Sequence, residues 1–390
     1  MNFFKQWISA IFLAVFLPLQ VLAAEAVVIL HTNDVHCGVE DNLSLDKIAK
    51  YKEQLKKDGE NVLLVDAGDF IQGAALGTLS KGEAMVHLMN KADYDFAVPG
   101  NHEFDYGMER FMELDDLSAG GYYSCNIFDK EKDELLLEPY KIFAFDDFKV
   151  ALIGVTTPDT LTASTPVFFQ NSEGKYKYYF YEDLTGKKLY EQIQKTVNKA
   201  RKEGADKVFL VAHLGMNVNQ RQWTSKAVAA NTYGIDGIID GHSHEQYAGV
   251  IVKNKKGENV VLAQTGTKLS SLGKLTVDAD GNIHIELLTD LENYSIPVAA
   301  AMALEQSAFS EQLETYIGES DYILYDKDPV TGERMVRRRE NSIGNFIADA
   351  ARTVFSADAG IVNGGGLRAG LPKGIIKFSI ASAKFLIVSP

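Results

Sequence analysis

Between Ala26 and Gly241 the sequence keeps breaking amphipathic stretches with short, almost wholly apolar runs. These are "AVVIL" (26–30), "NVLLVD" (61–66), "FAV" (96–98), "VALIGV" (150–155), "KVFLVAH" (207–213) and "GIIDG" (237–241). Runs of this length and composition read as buried strands. Between the first two, Leu45, Ile48, Ala49, Lys52 and Leu55 share one helical face, and a second helix fits Leu184 to Glu203 with Gly204 as its stop. The alternation predicts an α/β sandwich around a mixed sheet. Residues 260–288 read as closing antiparallel strands, with "DADGN" as a hairpin turn.

At 390 residues the chain is long for one domain, so a second unit is expected. Phe309, Leu313 and Ile317 stand four apart and predict a linker helix that Gly318 ends. A helix from about Ser342 to Phe355 follows, then a strand at 359–362 that runs into "NGGGLR". The predicted organisation is a signal peptide over 1–24, a main domain over 25–295, a linker helix over 296–320 and a short C-terminal domain over 321–390.

The signal peptide is read from Lys5, an apolar run from Trp7 to about Leu19, and small residues at Ala23 and Ala24. The run is short for a bilayer and contains Pro18, which argues against a transmembrane anchor. No cysteine stands at the cleavage point, which argues against a lipoprotein. The expectation is an exported protein, periplasmic or secreted, with no stable membrane insertion after cleavage. A formal net charge of −14 argues against a nucleic-acid partner. It leaves anionic substrates open, because a bound metal can reverse the local field. Cys37 and Cys125 can form one disulfide, or Cys37, next to His36, can be a free thiol near a metal.

Four short polar motifs follow the predicted strands: "NDVH" (33–36), "GDFIQG" (68–73), "GNHEFD" (100–105), and "AHLG" (212–215) with "GHSH" (241–244). Five of the eight histidines fall inside them. Open α/β sheets place their sites at such strand ends. A two-metal hydrolase needs a bridging carboxylate between its ions, and Asp69 is the candidate. Asp34 and His36 can chelate one ion, with His244 returning to it, while Asn101, His213 and His242 can hold the other. Only two of these ligands are anionic, so two divalent ions would leave the excess positive charge that suits a phosphate ester. The mixed nitrogen and oxygen donors fit zinc or manganese, or cobalt or iron, better than calcium. His102 has another role: stabilising charge on the leaving oxygen, with Asp105 fixing its tautomer.

On these motifs, "GNHEFDYG" and "DGHSH" above all, the chain resembles the 5′-nucleotidase family of calcineurin-like metallophosphoesterases. The bacterial bifunctional UDP-sugar hydrolase/5′-nucleotidases are the type it is most similar to, from about Val27 to Gly374. The resemblance implies a four-layer α/β/β/α sandwich, a linker helix and a partial α+β C-terminal substrate-binding domain. It implies two divalent ions, one held by Asp34, His36, Asp69 and His244, the other by Asp69, Asn101, His213 and His242. Many members carry a residue other than histidine where His244 stands. His102 and Asp105 match the family's catalytic dyad, and Arg337, Asn363 and Arg368 match substrate-contacting residues. The implied function is release of phosphate from nucleoside 5′-phosphates, and cleavage of UDP-sugars, by attack of metal-bound hydroxide.

The family's C-terminal domain is longer than the stretch after Asp321 and carries two aromatic residues that sandwich the base. The second has no counterpart here, and an incomplete sheet would expose apolar residues such as "KFLIV". Three rival readings therefore stand beside the first. One is a metal-binding remnant without turnover. The others are a 2′,3′-cyclic phosphodiesterase/3′-nucleotidase, whose usual Asn at the Asp105 position is absent here, and a thiosulfohydrolase.

Overall fold

The computed structural model describes residues 27–367 and 369–382. The expected signal peptide, Arg368 and the "KFLIV" stretch lie outside the described residues. Two sheets form the body. The first runs in the order Ile283–Leu288, Leu272–Val277, Val27–Thr32, Val62–Asp66, Phe96–Ala97. The second runs Gln246–Lys253, Asn259–Thr265, Gly237–Asp240, Lys207–His213, Phe148–Thr156, Tyr140–Phe145. In the second sheet parallel pairs lie at the centre and antiparallel strands close both edges; in the first, parallel pairs run out to Phe96–Ala97 and antiparallel strands close the other edge.

Side-chain alternation along the strands builds the layers. Val27 and Ile29 point between the sheets, where they meet Val65 and Phe96 of their own sheet and Leu152, Phe209 and Val211 of the other. Val28 and Leu30 point outward against Leu45, Ile48, Met85 and Phe111 from helices Leu45–Lys57, Glu83–Lys91 and Met108–Leu117. On the far side Ile153, Leu210 and Ile238 meet Leu189, Ile193 and Val197, spaced four apart on helix Lys187–Lys202. Three cores separated by two sheets make the expected α/β/β/α sandwich. Both faces of the central strands are buried, which is why their sequences read as unbroken apolar runs.

Residues 260–288 divide between the two sheets. Asn259–Thr265 belongs to the second and Leu272–Val277 with Ile283–Leu288 to the first, the latter two joined by the expected turn, where the Asp278 N–H donates to the Asn282 carbonyl. Residues 266–271 therefore cross from one sheet to the other.

Two expectations are corrected. The helix after the body spans Ile296–Ala308, and Val298 and Met302 are its buried residues. A short helix Ser310–Glu314 follows, but Tyr316–Ser320 is a strand paired with Gly374–Lys377. Ile317 and Gly318 thus continue no helix: a strand partner far along the chain outweighs local helical spacing. Residues 359–362 form no strand, and Ile361 is 95% exposed. No neighbouring strand pairs with them among the described residues. Helix Ser342–Val354 forms as expected, with the Asn341 side chain accepting from the Gly344 N–H at its N-terminus. Its Ile343 joins Leu367, Leu371 and Ile376 in a fourth, small core.

Candidate metal centre

The loops that leave the C-terminal ends of five parallel strands converge on one point. Val27–Thr32 delivers Asp34 and His36, Val62–Asp66 delivers Asp69, and Phe96–Ala97 delivers Asn101 and His102; Lys207–His213 ends in His213, and Gly237–Asp240 leads to His242 and His244. The chain must turn sharply to aim them inward. Asp34, His36, Asp69, His242 and His244 all have positive φ, between 48° and 75°. Such backbone costs on the order of 1–3 kcal/mol per residue and collects where a site overrides local preference. Close approach also explains two glycines: a Cβ on Gly100 would stand 2.3 Å from Asp69 Oδ1, and one on Gly68 2.7 Å from His213 Nδ1.

Asp34, His36, Asp69 and His244 each present a donor atom within 4.8 Å of the others. His244 Nε2 lies 3.2 Å from Asp34 Oδ1 and 3.1 Å from His36 Nε2. Asp69 Oδ2 lies 3.8 Å from His36 Nε2 on one side and 3.1 Å from His213 Nε2 on the other. It therefore lies between these two imidazoles. His242 packs its ring 5.0 Å from that of His213 and donates its backbone N–H to Asp34 Oδ2 at 2.9 Å.

The donor chemistry fits divalent metal ions. Asn101 Oδ1 is buried without a hydrogen-bond partner, a costly state unless something else engages it. Both key histidines are oriented by backbone carbonyls: His213 Nδ1 donates to Ala67 at 2.7 Å, and His36 Nδ1 donates to Gln72 at 2.9 Å. In both, Nε2 is left facing inward: in neutral His36 it carries the lone pair a metal-binding imidazole needs, and in His213 it points at Asp69 Oδ2.

The electrostatics agree. Burial pushes His36 down to about 3 and His242 down to about 4, so both are neutral at ordinary pH. Burial raises Asp69, but the His213 and His102 charges outweigh it and hold the carboxyl well below its usual range. For His213 burial acts downward, yet Asp69 draws a proton onto it and raises it to about 10. Among the protein's own groups, that proton balances the carboxylates. Binding of a cation would have to displace it.

His102 and Asp105 stand beside this cluster. His102 Nδ1 lies 2.6 Å from Asp105 Oδ2, and its ring meets His36 edge-on at 5.3 Å. Ser164 Oγ donates to the other Asp105 oxygen at 3.0 Å. Asp69 Oδ1 accepts from the His102 backbone N–H at 2.8 Å, which ties the His102–Asp105 pair to Asp69.

Several residues outside the sequence reading hold the loops in place. Glu103 is fully buried and accepts four backbone N–H groups from two loops. Asp240 does the same in the second sheet, accepting from Leu214, Gly215 and Gly241. Asn33 donates to Asp34 Oδ2 at 2.6 Å and to the Gly266 carbonyl, while accepting from Thr265. Thr267 Oγ1 and the Lys268 N–H both bond the Asp34 carbonyl, so the crossover between the sheets steadies that ligand loop. Asn33 within "NDVH", Glu103 within "GNHEFDYG" and Asp240 within "DGHSH" stood in motifs that could have drawn notice; Thr265, Thr267 and Lys268 did not.

In the C-terminal unit Arg337 and Asn363 are brought together around the glycine loop. Asn363 Oδ1 accepts from the Gly365 N–H at 2.9 Å, and a Cβ on Gly365 would stand 2.5 Å from Arg337 Nη2. Cys37 and Cys125 are free and buried in the two outer cores, on opposite sides of the sheets, so they cannot form a disulfide. Burial pushes both thiols up to about 12, and Cys37 lies outside the four-donor group.

Comparison with known proteins gives this arrangement its class. The calcineurin-like phosphoesterase family matches residues 27–246, and the 5′-nucleotidase C-terminal domain matches residues 318–382. The chain belongs to the calcineurin-like phosphoesterases, a family of hydrolases. It is 30% identical over 392 residues to the trifunctional nucleotide phosphoesterase YfkN of Bacillus subtilis, covering 89% of this chain but 25% of that protein. It is 26% identical to the 5′-nucleotidase of Vibrio parahaemolyticus, covering 90% of this chain and 69% of the relative. The fold is that of a 5′-nucleotidase precursor from Thermus thermophilus, at a TM-score of 0.74 and 24% identity over 92% of this chain and 73% of that one. The chain spans about a quarter of the Bacillus protein's length and 59% of the bovine 5′-nucleotidase, to which it is 29% identical over 83% of its own length. Among the described residues no helix is long and apolar enough to cross a membrane.

Proposed function

We propose that this chain is an exported phosphohydrolase that uses two divalent ions to release phosphate from nucleoside 5′-phosphates, with nucleotide sugars as a further substrate class. The reading rests chiefly on one observation: Asp34, His36, Asp69 and His244 converge within 4.8 Å, with the unpartnered Asn101 Oδ1 and the imidazole of His213 also buried in the converging loops. Names of the relatives support nucleotides as the substrate class. Asp34, His36, Asp69 and His244 would hold one ion, and Asp69, Asn101, His213 and His242 the other. Zinc or manganese suits these donors. Bound, the ions would neutralise phosphate charge and acidify a water nucleophile.

The remaining steps belong to the protein's own groups. Asp69 holds its two oxygens in different duties, one toward His36 and His213 and one on the His102 N–H. Asp105 engages His102 Nδ1, which makes Nε2 the atom to protonate or stabilise the departing ribose oxygen. Ser164 keeps the Asp105 carboxyl from rotating away. The C-terminal unit over 321–390 would bind substrate, with Arg337 and Arg368 as guanidinium partners for phosphate and Asn363 shaping the loop between them. Export rests on the apolar stretch within residues 1–24.

The test is phosphate release from AMP, UDP-glucose and a small aryl phosphate, with manganese or zinc added. Preference for the nucleotides is the expected outcome. Cleavage of the aryl ester alone would keep the metal centre and remove the nucleotide assignment. No cleavage with two ions bound would overturn the reading.

A further inference from the structure

The least expected group in the site is a buried carboxyl whose oxygens are met by backbone N–H groups. Glu103 is fully buried, and each of its oxygens is met by two backbone N–H groups. Oε2 accepts from Asp69 at 2.8 Å and Gly100 at 2.7 Å; Oε1 accepts from Phe70 at 2.8 Å and, more loosely, Ile71 at 3.4 Å. Those donors come from two loops on neighbouring strands. Asp69 is itself one of them, and Asn101 follows Gly100 directly. A carboxyl whose two oxygens accept four converging N–H groups ties the two loops together through one side chain, and each of those buried donors would otherwise be left unpaired.

We propose that Glu103 is a positioning residue that fixes the spacing between the Asp69 carboxylate and the Asn101 amide, and so sets affinity for the second metal ion. The inference rests on the reading of Asp69 and Asn101 as ligands. A glutamine of the same shape turns an NH₂ toward two of the N–H donors and leaves them unpaired. An aspartate keeps the charge but is one methylene too short to reach both loops.

The experiment compares the full chain with Glu103→Gln and Glu103→Asp. Manganese binding is measured by calorimetry, amide exchange at Asp69, Phe70 and Gly100 by mass spectrometry, and aryl phosphate hydrolysis as a function of free manganese. The expected result is a second-ion dissociation constant raised roughly 10–100-fold, the usual range for loss of a supporting group behind a metal ligand. Faster exchange at the three amides should accompany it, and turnover should recover toward wild type as manganese is raised. A residue that only stabilises the fold would lower Tm and leave the manganese dependence unmoved; that result, or unchanged binding in both variants, overturns the proposal. If Glu103→Gln does not fold, unchanged binding in Glu103→Asp is enough to overturn it. A wild type that binds two ions yet hydrolyses no ester defeats the phosphohydrolase reading alone, since binding and exchange still judge Glu103. A wild type that binds no manganese defeats both.

Discussion

The two-sheet body and the C-terminal unit are built from similar residues with different success at burying them. In the body Val27, Ile29, Phe209 and Val211 lie between two sheets at 0% exposure, and helices cover both outer faces. In the C-terminal unit a two-stranded sheet and one long helix bury Ile343, Leu367, Leu371 and Ile376, while Phe346, Val354, Phe355 and Ile361 stay exposed. A sheet covered on both faces gives every strand residue a buried side. Two strands and a helix cannot, and isolated two-stranded sheets are marginal in water. The difference teaches where rigidity is concentrated. The candidate ligands hang from the strand ends of the well-packed body, and the proposed substrate residues sit on the thinly packed unit.

Substitutions can break or sharpen that comparison. The largest effect is expected for Asp69→Ala, which removes the carboxylate between His36 and His213. It should lower bound metal from two ions to one or none by elemental analysis and cost turnover on the order of 10³-fold or more, as losing a central catalytic group does. Two ions bound by this variant would remove Asp69 from the centre. Next, His102→Ala should lower kcat about 10²–10⁴-fold with metal content unchanged. Loss of metal would instead make His102 a ligand.

On stability, Phe209→Ala between the sheets should cost about 3–5 kcal/mol by denaturant titration. Ile343→Ala should act on the C-terminal unit alone, lowering a separate first transition in calorimetry without changing bound metal. A single shared transition shifted by both variants would refute the energetic separation.

The pH dependence follows from His213. Its folded value of about 10 lies above the ordinary 6.5, so its proton stabilises the chelated protein fully below about 6.5. That contribution should be lost as pH rises through about 10, because over this window the folded state holds a proton the unfolded chain has released. A metal-loaded sample should lack this decline, since the ion replaces the proton. Tm measured against pH with and without chelator checks both. The smallest effect is expected at the thiols: Cys37 and Cys125 should resist a thiol reagent in the native state, and added reductant should leave Tm unchanged.

The sandwich and the polar motifs were legible because each is a local signal. Apolar runs of five or six residues mark strands buried on both sides, and "NDVH", "GDFIQG" and "GNHEFD" mark the turns after them. The Phe309–Ile317 spacing misled because its outcome depends on a strand at Gly374–Lys377 that no local window contains.

What the sequence by itself determined is which chemistry the chain carries: carboxylates, imidazoles and an amide held at strand ends, in motifs short enough to read. Only the tertiary structure decided how those groups meet. The bonds that aim them come from backbone N–H groups and carbonyls, which every residue possesses and no sequence pattern advertises. Glu103 reaches back to the loop that starts at Asp69, and Thr265 bonds Asn33 from 232 residues away. Such contacts exist only once two sheets have packed and brought distant loops to one edge.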